Sequence, residues 1–364
     1  MRLFDHIRHQ EPAIAALQSA RARGRLAHAM LFWGPEGVGK LRSAQALAQM
    51  LLCEGSEPPC ASCVSCERVR RLTHPDLLIV VPAARGEGDV RSHMALEAYG
   101  EDLYHCFQAP PNASILIDQI RELKSESSKA RVERGNRVAI IRDAERMTPE
   151  AAQAALKLIE EPRPGTYLVL TCRDPQQLLP TILSRCQRFR FRPLPRSFIE
   201  EVLREQRPAE EEAPPARLVS ALARGSLSRA LAGGGDGDLR RERDRALELF
   251  AVTYRDPAEV TGKVRALGRA WDTARARAAV DLLMMWYEDL LHLRLGLSEE
   301  DVANSDRLER LRAEASAAGA EEIKRRGRIL EELLEAMERN VNPVLATETA
   351  LLRLSRLAGE RDLF

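Results

Sequence analysis

The sequence predicts an α/β fold: a parallel sheet bearing a phosphate-binding loop, an embedded module of four cysteines, and an all-helical remainder. Three observations predict it. Short apolar runs suited to strands alternate with helical patterns over the first half of the chain. The run Gly34-Pro-Glu-Gly-Val-Gly-Lys40 follows the first of these strands and opens a helix. Beyond Pro193 and Pro195 only helical patterning remains.

Each element has a local reason. An amphipathic helix is expected near 11–23, then a strand over His28–Trp33, the glycine turn, and a helix over 39–52. Strand-like runs recur at Leu77–Val81, Val138–Ile141 and Tyr167–Thr171, with helices near 114–130 and 149–161 between them. Thr148 can cap the last of these helices, Pro149 suits its first turn, and Pro162 and Pro164 stop it. Phe189–Phe191 reads as a further strand. Residues 84–112 read as a loop or insertion, 207–215 as a linker between short helices, and Gly233–Asp238 as a flexible joint. From 240 onward the spacing predicts a helical domain, clearest in Val280–Trp286 and in 329–357.

Composition narrows the class. A chain of 364 residues with 45% hydrophobic side chains can build two or three packed domains. The 55 basic residues face 54 acidic ones, so no whole-molecule positive field exists to grip nucleic acid. Aromatics at 4% leave few rings on which bases could stack. No apolar run reaches the ~18–20 residues of a membrane helix, and residues 1–12 carry no apolar segment of a secretory signal. A cytoplasmic protein is expected.

In the phosphate loop, Gly34, Gly37 and Gly39 let backbone N–H groups converge on phosphate oxygens, and Lys40 adds a point charge. The next position should supply a magnesium-binding hydroxyl, but it is Leu41. The strand over 138–141 should end in two acids, yet it runs into Arg142-Asp-Ala-Glu145. Either Arg142 replaces the metal-binding acid, or a slip by one makes Asp143 the ligand and Ala144 the missing base. An arginine ~4 Å from a divalent cation repels it by several kcal/mol at an effective dielectric near ~20. The expectation is a degenerate magnesium site, weak or absent ATP or ADP binding, and no useful hydrolysis. Glu145 is the acid that could rebuild the site.

Cys53, Cys60, Cys63 and Cys66 have the spacing C-x6-C-x2-C-x2-C, suited to a closed tetrahedral zinc site with no open catalytic position. An iron–sulfur cluster and free buried thiols are the alternatives. Cys106, Cys172 and Cys186 read as core fillers.

Several motifs in order carry a family resemblance: His28–Lys40, the four cysteines, His74-Pro-Asp76, Ala154-Ala-Leu-Lys-Leu-Ile-Glu-Glu-Pro162 and Leu179-Pro-Thr-Ile-Leu-Ser-Arg-Cys-Gln187. Over about 10–231 the chain resembles the delta-prime subunits of bacterial DNA polymerase III clamp loaders, relatives of the AAA+ ATPases. The resemblance implies an AAA+ domain over 1–193 with a zinc module at 53–66, a helical lid over 194–235, and a collar for oligomerisation over 236–364. It implies a heteropentamer with gamma/tau and delta subunits, which places the sliding clamp on primed DNA. It also implies that Arg185, in Ser184-Arg-Cys186, acts as an arginine finger in the neighbouring motor subunit's ATP site. From the residues alone Arg185 is a surface ion-pair residue. Arg229 sits where the family places a second nucleotide-sensing arginine, and it equally fits a solvent-facing helical position. Cys172 and Arg173 give no clear polar sensor, while Lys157 and Glu160 read as structural or interfacial. The rival readings are the ATP-hydrolysing gamma/tau motor subunit and a free-standing zinc-containing DNA-binding module.

Overall fold

A computed structural model describes residues 2–83, 113–130, 135–206, 216–233, 238–251, 257–267, 271, 273–339 and 341–359. The expected insertion at 84–112, the linker at 207–215 and most of the joint at 233–238 lie outside the described residues. The chain forms two compact units, one of residues 1–195 with 225–229 and one of 196–224 with 230–364.

The first unit is built on five parallel strands: β1 (Ala29–Trp33), β2 (Leu77–Val80), β3 (Arg137–Ile141), β4 (Thr166–Cys172) and β5 (Gln187–Arg190). Their spatial order is β2-β3-β4-β1-β5, so the strand feeding the phosphate loop lies inside the sheet. This is the expected α/β parallel-sheet class, with one adjustment. The expected strand at 189–191 is β5, displaced toward the N-terminus because its pairing with β1 runs from Met30↔Gln187 to Trp33↔Arg190.

The helices of this unit are α1 (Glu11–Ala22), α2 (Lys40–Leu52), α3 (Val64–Arg70), α4 (Ile117–Ser128), α5 (Pro149–Glu160) and α6 (Pro180–Leu183). Successive strand residues point to opposite faces. Ala29, Leu31, Ala139, Ile141, Leu168 and Leu170 therefore join Ile120 and Leu123 of α4 and Ala151, Ala155 and Ile159 of α5 in one core. The other face packs against α2, which touches β1, β3 and β4. There Phe32 meets Phe189 edge-on, with ring centroids 5.6 Å apart. Thr148 caps α5 as expected, accepting the Ala151 N–H at 3.3 Å.

The second unit is helical: α7 (Arg196–Gln206), α8 (Ala216–Leu222), α10 (Asp238–Ala251), α11 (Pro257–Leu267), α12 (Thr273–Arg294), α13 (Leu308–Ala317), α14 (Ala320–Glu338) and α15 (Pro343–Gly359). Between α8 and α10, α9 spans Leu227–Gly233. The apolar run Val280–Trp286 lies in α12, whose Val280, Leu283 and Trp286 join the core of this unit. The turn before α13 is held by polar groups. Buried Arg243 donates to both Asp306 oxygens at 2.7 and 2.8 Å, and Asp289 accepts the Ala303 and Asn304 N–H groups at 2.9 Å each.

Candidate functional site

The pairings Phe32↔Thr171 and Trp33↔Cys172 bring the ends of β1 and β4 level, and β3 ends beside them. Loops leaving the C-terminal edge of a parallel sheet converge at such a point. Here they bring together the phosphate loop, Arg142-Asp143 and Arg173.

The loop has the expected glycine geometry. Gly37 has φ +71°, and a Cβ there would lie 2.1 Å from the Ser228 Oγ and 2.4 Å from the Ser226 Oγ. The loop is thus overlaid by Ser226–Ser228, with the Leu227 N–H donating to the Gly37 carbonyl at 3.0 Å. Lys40, at the start of α2, is only 7% exposed. Its ammonium donates to the carbonyls of Gly34 and Pro35 at 2.6 and 2.5 Å, so its donors are turned onto its own loop. Burial lowers its pKa to about 8, against the opposing pull of Asp143 and Glu145.

On the side of the loop where the sequence leads one to look for a magnesium site, Leu41 follows the lysine, and Arg142 directly follows the last residue of β3. The Arg142 Nε lies 3.3 Å from the Asp143 carboxylate, so the nearest acid already has a cation. The Asp143 N–H donates to the Thr171 hydroxyl at 3.1 Å. Glu145 is pushed above the usual carboxylate range, mainly by burial. It accepts the Arg173 N–H at 3.0 Å. Arg173 itself pairs with Glu36 of the loop at 2.6 Å, a contact the linear pattern did not signal. Arg229 is exposed, and its backbone N–H donates to the Ser226 hydroxyl at 3.2 Å.

At the other end of α2 the four cysteines assemble. All four Sγ atoms lie within 4.8 Å of one another, with Cys53–Cys63 and Cys60–Cys66 both at 4.0 Å. A tetrahedron of thiolates with metal–sulfur bonds of about 2.3 Å has edges of about 3.8 Å, so the donor set fits a closed four-coordinate site. Backbone N–H groups already point at the sulfurs. Those of Gly55 and Cys60 donate to Cys53 at 3.3 Å, and those of Cys63 and Cys66 donate to Cys60 and Cys63 at 3.4 Å. Cys53 caps α2 and Cys63 caps α3. Two buried glutamines of α2 secure α3 as well. Gln45 donates to the Val69 and Arg70 carbonyls at 3.0 and 2.8 Å, and Gln49 donates to that of Cys66 at 3.3 Å. Their polar side chains on an otherwise apolar helix face were the available sequence signal. Cys172 and Cys186 are buried, and burial pushes their thiols up to about 12 and about 11. Cys106 lies outside the described residues.

Arg185 stands apart from both sites. Its neighbours Ile182 and Cys186 are buried in the sheet core, while the arginine is exposed. Its Nε pairs with Glu160 at 2.8 Å, as an ion-pair reading of the residue would have it.

Comparison with known proteins decides the family. Residues 9–195 match the family described as DNA polymerase III, delta subunit. The chain belongs to that family. It is 28% identical over 336 residues to the DNA polymerase III subunit delta' of Bacillus subtilis, covering 92% of each chain. It is 26% identical to the Pseudomonas aeruginosa subunit delta', covering 93% of this chain and 94% of that one. It is also 29% identical to the gamma/tau subunit of Mycobacterium bovis, covering 96% of this chain but 60% of that one. The resemblance to delta-prime subunits is thereby borne out. Among the described residues no helix is long and apolar enough to cross a membrane.

Proposed function

We propose that this chain is the stator, or delta-prime, subunit of a clamp loader, helping an ATP-driven partner place a sliding clamp on primed DNA. It assembles with gamma/tau and delta subunits in a heteropentamer and meets the clamp and DNA through that complex in the cytoplasm. Residues 1–193 form the AAA+ domain, 194–235 the lid and 236–364 the collar that holds the ring together.

The observation that carries this reading is the contrast between Lys40 and Arg185. The Lys40 ammonium is engaged by the carbonyls of its own loop, whereas the Arg185 guanidinium is presented at the surface. A nucleotide site lacking a metal-binding hydroxyl and carrying a cation beside its acid lacks the charge stabilisation that phosphoryl transfer requires. Nucleotide binding at Gly34, Gly37, Gly39, Lys40 and Arg229 is weak or absent. Arg185 instead neutralises charge on the phosphoryl group held by the adjacent motor subunit, a contribution worth about 10³-fold or more in rate. The four cysteines hold one structural zinc, whose role is to tie the end of α2 to α3.

The test is Arg185→Ala in the reconstituted loader. Assembly should be unchanged, and phosphoryl transfer at the adjacent motor site should slow by about 10³-fold, read as loss of that site's share of the DNA-stimulated ATPase. Unchanged turnover would remove the finger from the account. The gamma/tau similarity favours one second reading, an ATP-hydrolysing motor. Magnesium-dependent turnover by the chain alone, abolished by Lys40→Ala, would establish it.

A further inference from the structure

We propose that Glu160 is a positioning residue, whose carboxylate pre-sets the Arg185 guanidinium for a phosphoryl group on a neighbouring subunit. The inference rests on the finger reading of Arg185 and deepens it.

Glu160 is the last residue of α5, and Arg185 lies just beyond α6. Strand β4 separates the two elements in sequence, and their ends pack together, with the Arg185 Nε 2.8 Å from the Glu160 Oε1. The Arg185 Nη1 donates to the Thr181 carbonyl at 3.1 Å and to the Ser184 hydroxyl at 3.2 Å. Ser184 is itself held, donating to the Thr181 carbonyl at 3.1 Å. Two acceptors thus take hydrogen bonds from Nη1, and the Glu160 carboxylate forms an ion pair with Nε. Nη2, with two N–H donors, has no acceptor among the described residues. The base of the side chain is fixed by buried Ile182 and Cys186, and its tip is steered by Glu160.

As a stabilising contact this pair means little, because both side chains are more than 40% exposed. Its geometry has a different use. A guanidinium with a long flexible stem must lose rotamer freedom when it engages a phosphate, and one already held in place loses less. Glu160 orients the planar group through Nε and leaves Nη2 to donate. A donor fixed before charge develops needs no reorganisation during the reaction.

Two readouts test this, one spectroscopic and one kinetic. In the full chain, the ¹⁵N–¹H signal of the Arg185 Nε, assigned through Arg185→Lys, should be protected from solvent exchange. It should lose that protection in Glu160→Ala and keep it in Glu160→Gln, whose amide oxygen still accepts. In the reconstituted loader, Glu160→Ala should lower the kcat of the adjacent motor site about tenfold with KM for ATP little changed, while Glu160→Gln stays within about twofold. In an Arg185→Ala background, Glu160→Ala should have no further effect. Unchanged or raised kcat in Glu160→Ala overturns the positioning role, as does an equal loss in the Arg185→Ala background. If Arg185→Ala alone leaves turnover intact, the finger reading fails and the positioning role fails with it. If only the Glu160 variants are silent, the finger stands and this inference alone is lost.

Discussion

The two ends of helix α2 carry two inherited ligand motifs in opposite condition. At its N-terminus the phosphate loop keeps its glycines and Lys40, but Leu41 and Arg142 occupy positions where a divalent cation needs oxygen donors. The lysine turns onto the Gly34 and Pro35 carbonyls, Glu36 is taken by Arg173, and Ser226–Ser228 lie over Gly37. At its C-terminus Cys53 joins Cys60, Cys63 and Cys66 in a complete donor set, with backbone N–H groups already pointed at the sulfurs. One helix thus joins a loop whose lysine and acids are paired with its own neighbours to a four-thiol cluster that could hold a metal ion. The comparison teaches that a glycine loop takes its shape from backbone geometry, whatever side chains follow it, whereas a thiol cluster depends on its side chains.

The largest effect that would sharpen the contrast is at the cysteines. Cys66→Ser should release one equivalent of bound zinc, measured by metal analysis. It should lower Tm by about 10 °C, since metal-binding energy at structural sites is folding energy. An unchanged Tm with full metal content would break the comparison. Next, Lys40→Met should leave phosphoryl transfer at the adjacent motor site of a reconstituted loader within about twofold, against the loss of about 10³-fold expected there for Arg185→Ala. A large loss in Lys40→Met would mean that the loop still works.

A smaller effect concerns pH. Lys40 carries its charge below a pKa of about 8 and loses it above. Any residual affinity for ADP that depends on the ammonium should therefore be full at low pH and weaken as pH rises through about 8. By one pH unit above that pKa it should be about tenfold weaker, measured by calorimetry and absent in Lys40→Met. Affinity that held steady to pH 10 would place the lysine outside the binding. The smallest effect belongs to Glu36→Gln, which removes the partner of Arg173. Both side chains are partly exposed, so stability should change by no more than about 1 kcal/mol in denaturant titration. A larger change would mean that the pair holds the loop shut.

Much of the first unit was legible because its signals are local. Thr148 before Pro149 set the start of α5, and the apolar runs at 77–81, 138–141 and 167–171 became β2, β3 and β4. Helix α3 was not legible, because seven residues starting just after Cys63 carry too little periodicity to stand out. Arg185 could be located from Ser184-Arg-Cys186, but its partner could not. Glu160 lies 25 positions earlier, with β4 in between, and only the packing of α6 beside the end of α5 brings the two together.

What the sequence determined by itself is the chemistry that each position can offer. Four thiols at short spacing, a glycine turn before a lysine, and a leucine and an arginine in place of oxygen donors are facts of residue type and local order. Tertiary structure alone decided where those groups point. Lys40 turns onto its own loop, Arg173 reaches Glu36, Ser226–Ser228 lie over Gly37, and Glu160 meets Arg185. Each of these contacts joins residues through the geometry of turns or of adjacent strand ends. Side-chain direction at such places follows from the packing of the whole unit, and no short stretch of sequence contains it.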